Sequence, residues 1–267
     1  MVKILVTNDD GVHSPGLKLL YQAVRDLGET VVVAPETPKS SSGLGITLHK
    51  PLRINRVNLW GVELYSINGT SSDVVHIAVN ELVREVGLVV SGVNVGDNTS
   101  VQVILSSGTV GAAAQAALIG IPAIAFSAAV SEGEDFEDPG YAEPLKALIR
   151  TMASFVLQHG MPRDVDVLNV NFPSEITGKT RVRVVKPARM RFTEYIEKRF
   201  DPRGKPYYWV YGEPVTPEPG TDVYTVIMEK DIAITPLSFN LTPVMWEIDE
   251  KVIAMAREAE KALVSRL

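Results

Sequence analysis

Residues 3–11 read KILVTNDDG and determine both the fold class and the place to look for function. Residues 3–7 have the apolar centre Ile-Leu-Val, as in a buried strand, and Asp9 and Asp10 come just after the end of this strand. Aspartate is rare in strands and costly to bury, so two adjacent carboxylates here favour a hard divalent cation with oxygen ligands. Asn-Asp-Asp-Gly also forms turns, and a plain turn is the alternative for this stretch alone.

The first 130 residues continue this pattern, with apolar strands alternating with helices. Such alternation predicts a mostly parallel α/β sheet of Rossmann-like type with helices on both faces. Ligands then bind at the C-terminal ends of the strands. The predicted strands span residues 2–7, 30–34, 62–67, 88–90 and 123–127, and the predicted helices span residues 14–27, 70–86 and 109–119.

The second half of the chain has a different character. Residues 179–205 carry ten Lys or Arg against three Asp or Glu, and a Tyr-Tyr-Trp run follows. We expect a helix over 141–158 and strands over 165–172 and 233–236. The predicted domains are a core carrying the site (1–130) and a C-terminal extension (131–267) that completes the core and forms oligomer contacts, with a β-hairpin arm at about 179–230 and a terminal helix at about 243–265.

Composition excludes several classes of function. The 267 residues include no cysteine, which rules out disulfides, zinc–thiolate sites and cysteine nucleophiles. The net charge of -6 argues against general nucleic-acid binding. Asn8 interrupts the first apolar run, so we expect no signal peptide and a cytoplasmic protein.

The apolar stretch 110–130 is about long enough to span a bilayer. Gly120 and Pro122 divide it, and Gln115 lies in its first half. A glycine followed closely by proline is a normal end for a helix, so we predict a buried helix and strand and no membrane span.

Four polar segments follow strands of the predicted sheet. They are residues 8–11, the Ser-rich loop 39–43, the segment 91–98 with Asn94, and the start of the small-residue helix at 106–109. Alone, the last three could be a flexible loop, a structural turn and an ordinary helix cap. Together they supply carboxylates, hydroxyls, an amide and a helix N-terminus, which indicates a metal and phosphate pocket.

The same segments resemble the stationary-phase survival protein SurE family of metal-dependent nucleotidases and acid phosphatases. The similarity covers nearly the whole chain, through residues 4–11, 33–35 with Ser40 and Gly43, 68–70 with Asp73, 91–98, 107–110 and 234–237. It implies a Rossmann-like core and a homodimer or homotetramer. The implied metal ligands are Asp9, Asp10, Ser40 and Asn94, and the implied phosphate-pocket residues are Asn98, Ser107, Gly108 and Thr109.

Three positions depart from the family pattern. Leu105-Ser106 replaces a more usual aromatic or histidine, and Ser71 stands where proline is common. Asp97 places a carboxylate where neutral or basic residues are common, and this charge would repel an anionic substrate.

The resemblance implies a phosphoric monoester hydrolase of the 5′-nucleotidase type that acts on nucleoside monophosphates, also with 3′-nucleotidase and broad acid phosphatase activity. Mg²⁺ or Mn²⁺ would activate water, with Asp9, Asp10 and the pocket residues taking part. Asp9 or Asp10 could instead attack phosphorus directly. A nucleotide-binding regulatory protein without turnover is the second hypothesis. The basic arm, with Arg189 and Arg191, could steer anions, reach a neighbouring subunit's site or form a subunit contact.

Overall fold

The computed structural model describes residues 2–241 and 250–264. The chain divides into two compact units, Met1–Leu237 and Ser238–Leu267. The first unit contains a nine-stranded sheet in the order β3-β4-β2-β1-β5-β6-β7-β11-β8. Its strands are β1 (Lys3–Thr7), β2 (Glu29–Pro35), β3 (Ile54–Leu59), β4 (Val62–Ile67), β5 (Val86–Val95), β6 (Ala123–Ala128), β7 (Val167–Phe172), β8 (Val182–Val184) and β11 (Ile232–Leu237).

The pairs from β4 to β7 are all parallel, whereas β3 pairs antiparallel with β4, and β11 pairs antiparallel with β7. The central strands are buried runs of Val, Ile, Leu and Ala, because helices cover both faces of the sheet. The predicted α/β class with a mostly parallel sheet is therefore confirmed.

Helices α1 and α5 pack together on one face of the sheet, and α2 and α4 pack together on the other. Pro15 fits the first turn of α1, where its missing N–H costs nothing. In α2, the Thr70 hydroxyl and the Asp73 carboxylate cap each other's backbone N–H groups. The helices are α1 (Pro15–Val24), α2 (Ser71–Ile77), α3 (Ser100–Ser106), α4 (Gly108–Leu118), α5 (Pro139–His159) and α6 (Asp222–Tyr224), with α7 (Glu250–Val264) in the second unit.

Several element boundaries differ from the prediction. The helix expected over 70–86 changes to a π turn at Ala78–Leu82 and stops there, because β5 already begins at Val86. Strand β5 is longer than expected, and β3, β8 and α3 were not predicted. The predicted terminal helix is observed over Glu250–Val264, while positions 243–249 and 265 lie outside the described residues.

Within the predicted arm, β9 (Tyr195–Phe200) and β10 (Pro206–Tyr211) form a separate antiparallel hairpin. Trp209 and Val210 point to opposite faces of this hairpin, and they are 57% and 81% exposed. Both faces therefore present apolar surface.

Within residues 2–241 and 250–264, no single helix has the length and apolar character needed to cross a membrane.

Candidate active site

The candidate site lies at the topological switch point of the sheet. From β1 the chain builds outward through β2 and β4 on one side, and it later returns to the other side of β1 with β5. Loops that follow β1 and β5 diverge at such a point and leave a crevice beyond the strand ends. Asp9 and Asp10 follow β1, and Asn94 lies near the end of β5. The sheet rule therefore correctly brings these segments together.

A cavity of about 170 Å³ occupies this crevice. It is lined by Asp9, Asp10, Ser40, Ser41, Asn94, Val95, Asn98, Val103, Ser106 and Ser107. Six of the lining residues are sequence-predicted site residues. The other two predicted residues, Gly108 and Thr109, contact Asp9. His13, three residues after Asp10, is exposed and does not line the cavity.

Asp9 is held against the start of α4. The Thr109 hydroxyl donates a hydrogen bond to Asp9 Oδ1 and lies 3.3 Å from Asn94 Oδ1. A Cβ atom on Gly108 would fall 2.7 Å from Asp9 Oδ2, so only glycine allows the carboxylate to pack this closely. Asn8 braces the same turn, because its side chain exchanges hydrogen bonds with the Gly11 backbone.

Asp10 and Asn94 present oxygen atoms at the cavity. Asp10 Oδ2 is buried without a hydrogen-bond partner. The Asn94 amide nitrogen donates to the carbonyls of Val95 and Gly96 at 3.0 and 2.8 Å, which identifies Oδ1 as the atom turned toward Thr109. An orphaned carboxylate oxygen beside an oriented amide oxygen is a donor set that suits a hard cation.

The serine-rich loop after β2 is attached to both sides of the crevice. The Lys39 N–H donates to the Asp9 carbonyl at 2.7 Å, and the Gly43 N–H donates to the Ser106 carbonyl at 2.9 Å. A Cβ on Gly111 would fall 2.1 Å from the Gly43 carbonyl oxygen, so a glycine in α4 lets the loop pack directly on the helix. These attachments hold Ser40 at the cavity wall.

The N-terminus of α4 is open toward Asp9. The Ser107 hydroxyl caps the helix by accepting the Val110 N–H at 3.2 Å. The first intrahelical bond runs from the Gly111 N–H to the Ser107 carbonyl, so the N–H groups of Gly108 and Thr109 precede it. A helix start of this kind attracts negative charge.

Asn98 is fixed by a buried polar network that the sequence did not reveal. Its N–H donates to Asn171 Oδ1 at 2.7 Å, and its side-chain amide donates to the Ser127 hydroxyl at 2.8 Å. Asn169 donates to its carbonyl at 2.9 Å. The only available signal was the alternation of asparagine with apolar residues in β7, which is unusual for a buried strand.

Burial shifts the acidity of both carboxylates. It raises the pKa of Asp9 to about 6, with the neighbouring Asp10 charge adding to the rise and the Thr109 hydrogen bond opposing it. Burial also raises the pKa of Asp10, against an interaction with the Val95 backbone. Ionisation of each carboxylate is therefore unfavourable in this crevice, and a bound cation would offset that cost.

Comparison with known proteins places this geometry in a family. The family model described as Survival protein SurE matches residues 4–197. The chain belongs to the SurE family. The family assignment inferred from the sequence motifs is thus confirmed.

Two curated relatives, both named 5′-nucleotidase SurE, are similar over most of their length. The protein from Hyperthermus butylicus is 56% identical across 98% of this chain and 94% of its own. The one from Pyrobaculum arsenaticum is 51% identical across 90% and 91%. Among solved structures, the SurE protein from Aquifex aeolicus has a TM-score of 0.78 at 31% identity, covering 95% of this chain and 99% of that chain.

The side chains at the cavity of this SurE family member offer oxygen atoms as possible metal ligands. Among the described residues, no three His, Asp or Glu side chains converge on a common point. The cavity is instead lined by the carboxylates of Asp9 and Asp10 and by the neutral side chains of Asn94 and Ser40, which could hold a cation through oxygen atoms. Such a set suits Mg²⁺ or Mn²⁺ better than zinc, which favours nitrogen and sulfur ligands.

Proposed function

We propose that this protein is a metal-dependent phosphomonoesterase that hydrolyses nucleoside monophosphates, with 5′- or 3′-nucleotidase activity. The observation that carries the proposal is the contact of buried Asp9 with the N-terminus of α4, beside the unpaired oxygen of Asp10. A cation site and an anion site are thereby adjacent, as phosphate ester chemistry requires. The names of the two similar proteins, both 5′-nucleotidase SurE, support the same reaction.

The residues present fit a divalent cation. Asp9, Asp10, Asn94 and Ser40 would hold Mg²⁺ or Mn²⁺ through oxygen atoms, and the partnerless Asp10 Oδ2 is the atom that most needs one. When bound, the ion supplies positive charge that polarises a phosphoryl oxygen and makes water more acidic.

The protein's own groups orient the substrate and stabilise charge. The N–H groups of Gly108 and Thr109, at the positive end of α4, would receive the negative charge that develops on the phosphoryl oxygens. Asn98 would hold the phosphate from the other wall, since its network with Asn171 and Ser127 leaves it little freedom to move. Ser107, as the cap, keeps that helix end in place.

We favour attack by water over attack by an aspartate. The Thr109 hydrogen bond and the close packing on Gly108 hold the Asp9 carboxylate in place, and the unpaired Oδ2 of Asp10 would be taken up as a cation ligand, so we assign both carboxylates to the metal and neither to attack on phosphorus. Mass spectrometry of enzyme quenched during single turnover tests this choice. A phosphorylated Asp9 or Asp10 peptide would contradict the water mechanism.

The activity test is release of phosphate from AMP with Mg²⁺, Mn²⁺ or chelator. We expect metal-dependent turnover that falls at least about a hundredfold in Asp9→Asn, because a ligand charge is lost. The exposed Asp26→Asn is the matched control and should retain wild-type rates. Tight AMP binding without phosphate release would instead support the regulatory alternative.

We also propose that the C-terminal extension forms oligomer contacts, and that its hairpin β9–β10 contacts a second copy of the chain. A two-stranded hairpin is marginal alone, and this one exposes Trp209 and Val210 on opposite faces. Sedimentation analysis should show a dimer or tetramer that dissociates in Val210→Asp. Phe155→Ser, which removes an exposed aromatic residue from α5, is the control. A monomeric wild-type protein would refute the contact.

A further inference from the structure

Asp97, the carboxylate that departs from the family pattern, is paired with a distant arginine. Its Oδ1 lies 3.5 Å from Arg191 Nε, and the two side chains are 12% and 11% exposed. The Thr99 hydroxyl donates to the same oxygen. Arg191 is therefore buried, with its guanidinium forming an ion pair with Asp97 and lying 4.8 Å from the centre of the Phe192 ring, and it is not an exposed residue that steers anions from solvent.

The position of Arg191 does not depend on its guanidinium group. The N–H groups of Arg191 and Phe192 both donate to Gln102 Oε1 at 3.0 Å, and the Val101 N–H donates to the Ala188 carbonyl at 2.8 Å. These bonds fasten the segment to α3 through backbone atoms. The segment therefore stays attached when the guanidinium is removed, so the charge of Arg191 can be tested separately from the position of the backbone.

The nearby carboxylate of Asp222 has other hydrogen-bond partners and does not need Arg191. Asp222 accepts the N–H groups of Ser100, Ala188 and Val223 at 2.8, 2.8 and 2.7 Å. Three backbone donors satisfy a buried carboxylate well. The arginine charge is consequently available to Asp97.

We propose that Arg191 is a positioning residue that acts through Asp97: by neutralising this carboxylate, it permits phosphate to bind beside Asn98. The inference rests on the proposed function, because it concerns the same phosphate pocket. Asp97 immediately precedes Asn98, which lines the cavity. Without Arg191, a buried negative charge would stand next to the place where a phosphate dianion binds.

The size of the effect follows from Coulomb's law. One uncompensated charge about 10 Å from a dianion, at an effective dielectric of about 20 and with the screening of about 0.1 M salt, weakens binding by about tenfold. Arg191→Met keeps much of the apolar stem of the side chain and removes the charged guanidinium together with its contact with the Phe192 ring. We expect the KM for AMP to rise about tenfold with kcat within about twofold, because the charge affects binding before chemistry.

A double-mutant cycle separates charge from structure. In Arg191→Met combined with Asp97→Asn, no unpaired charge remains, so KM should return to within about threefold of wild type. The dissociation constant of inorganic phosphate, measured by calorimetry in the presence of Mn²⁺, should follow the same order. Arg191→Lys, which retains the charge, should stay close to wild type.

Two controls address a purely structural role. Gln102→Leu removes the hydrogen bonds from the Arg191 and Phe192 N–H groups but leaves the Asp97–Arg191 pair. Arg183→Met removes a different ion pair, in which Arg183 on the edge strand β8 lies 3.0 Å from Asp231. Neither should weaken phosphate binding as Arg191→Met does. A double variant that stays weak, or a Gln102→Leu variant with the same loss, would overturn the inference.

Failure of the proposed function would look different. A wild-type protein that releases no phosphate from AMP would refute the proposed phosphomonoesterase activity. The dissociation constants of inorganic phosphate for wild type and variants, measured by calorimetry, would still decide the role of Arg191. If wild type hydrolyses AMP but all variants have the same dissociation constant for phosphate, only the role of Arg191 would be refuted.

Discussion

Replacing Asp9 by asparagine should stabilise the metal-free protein at neutral pH. The folded-state pKa of about 6 compares with 3.8 for an ordinary aspartate, a difference worth about 3 kcal/mol of folding free energy. A carboxyl group with a raised pKa favours the folded state only while it is protonated. That favourable state is fully present below pH 4 and is lost as the pH rises through about 6.

The amide side chain introduced by Asp9→Asn carries no charge at any pH, and its oxygen can still accept the Thr109 hydrogen bond. We therefore expect the stability of the variant relative to wild type to increase by up to about 3 kcal/mol between pH 4 and pH 7 in chelator. For a chain of this size the gain corresponds to a melting point higher by about 6–12 °C. Adding Mn²⁺ should reverse the order, because only the wild type keeps both carboxylate ligands.

Urea titrations at 25 °C, at pH 4, 5, 6 and 7, with chelator and then with Mn²⁺, measure the whole effect. Asp26→Asn provides the control, since this aspartate is exposed and far from the cation site. A stability difference that stays flat from pH 4 to pH 7 would refute the assigned cost of burying Asp9. Equal stabilisation of variant and wild type by Mn²⁺ would refute the assignment of Asp9 as a ligand.

Two further substitutions test the surroundings of the site. Gly108→Ala places a Cβ 2.7 Å from Asp9 Cβ and Oδ2. We therefore expect the free energy of unfolding to fall by about 1–3 kcal/mol and the Mn²⁺ affinity, measured by calorimetry, to fall about tenfold. Gly178→Ala is the control, because nothing lies within 4 Å of the added Cβ, and it should change neither quantity. Asp73→Asn should cost about 1–2 kcal/mol at pH 7, because Asp73 accepts the N–H groups of Thr70 and Thr47 at 2.8 and 2.9 Å. Burial raises the pKa of Asp73, but these hydrogen bonds outweigh burial and lower it, so the difference in urea midpoint should shrink as the pH falls below 3.8 and through that lowered pKa, and a difference that does not change with pH would contradict the capping role.

The sequence predicts the central sheet well because the decisive signal is local. Strands such as β1 and β6 are continuous apolar runs, and their burial on both faces leaves little choice of structure. Strand β3, with the sequence INRVNL, is a largely exposed edge strand and has no such run. Helix α3 is only seven residues long and owes its place to contacts with distant segments, so no periodic pattern predicts it.

The candidate site was accessible to sequence reasoning for a topological reason. Parallel strands end on the same edge of the sheet, so Asp9 and Asn94 had to approach one another once β1 and β5 were recognised as neighbours. The order of the strands in the sheet is enough to predict that the residues following β1 and β5 lie close together. The closeness of Asp9 to Gly108 adds detail that the sequence could not supply, since a glycine at a helix start is equally compatible with an ordinary cap.

The pairing of Asp97 with Arg191 shows what lies beyond such reasoning. Asp97 viewed alone is a carboxylate that repels the substrate, and Arg191 viewed alone is one cation in an exposed basic arm. Folding joins them through the Gln102 side chain, whose single oxygen accepts two backbone N–H groups of the arm segment. No spacing rule connects residues so far apart in the chain. In the role proposed for Arg191, the charge balance beside Asn98 depends on a contact between the two halves of the sequence, so the effect of a substitution at Asp97 or Arg191 should be measured with and without the other.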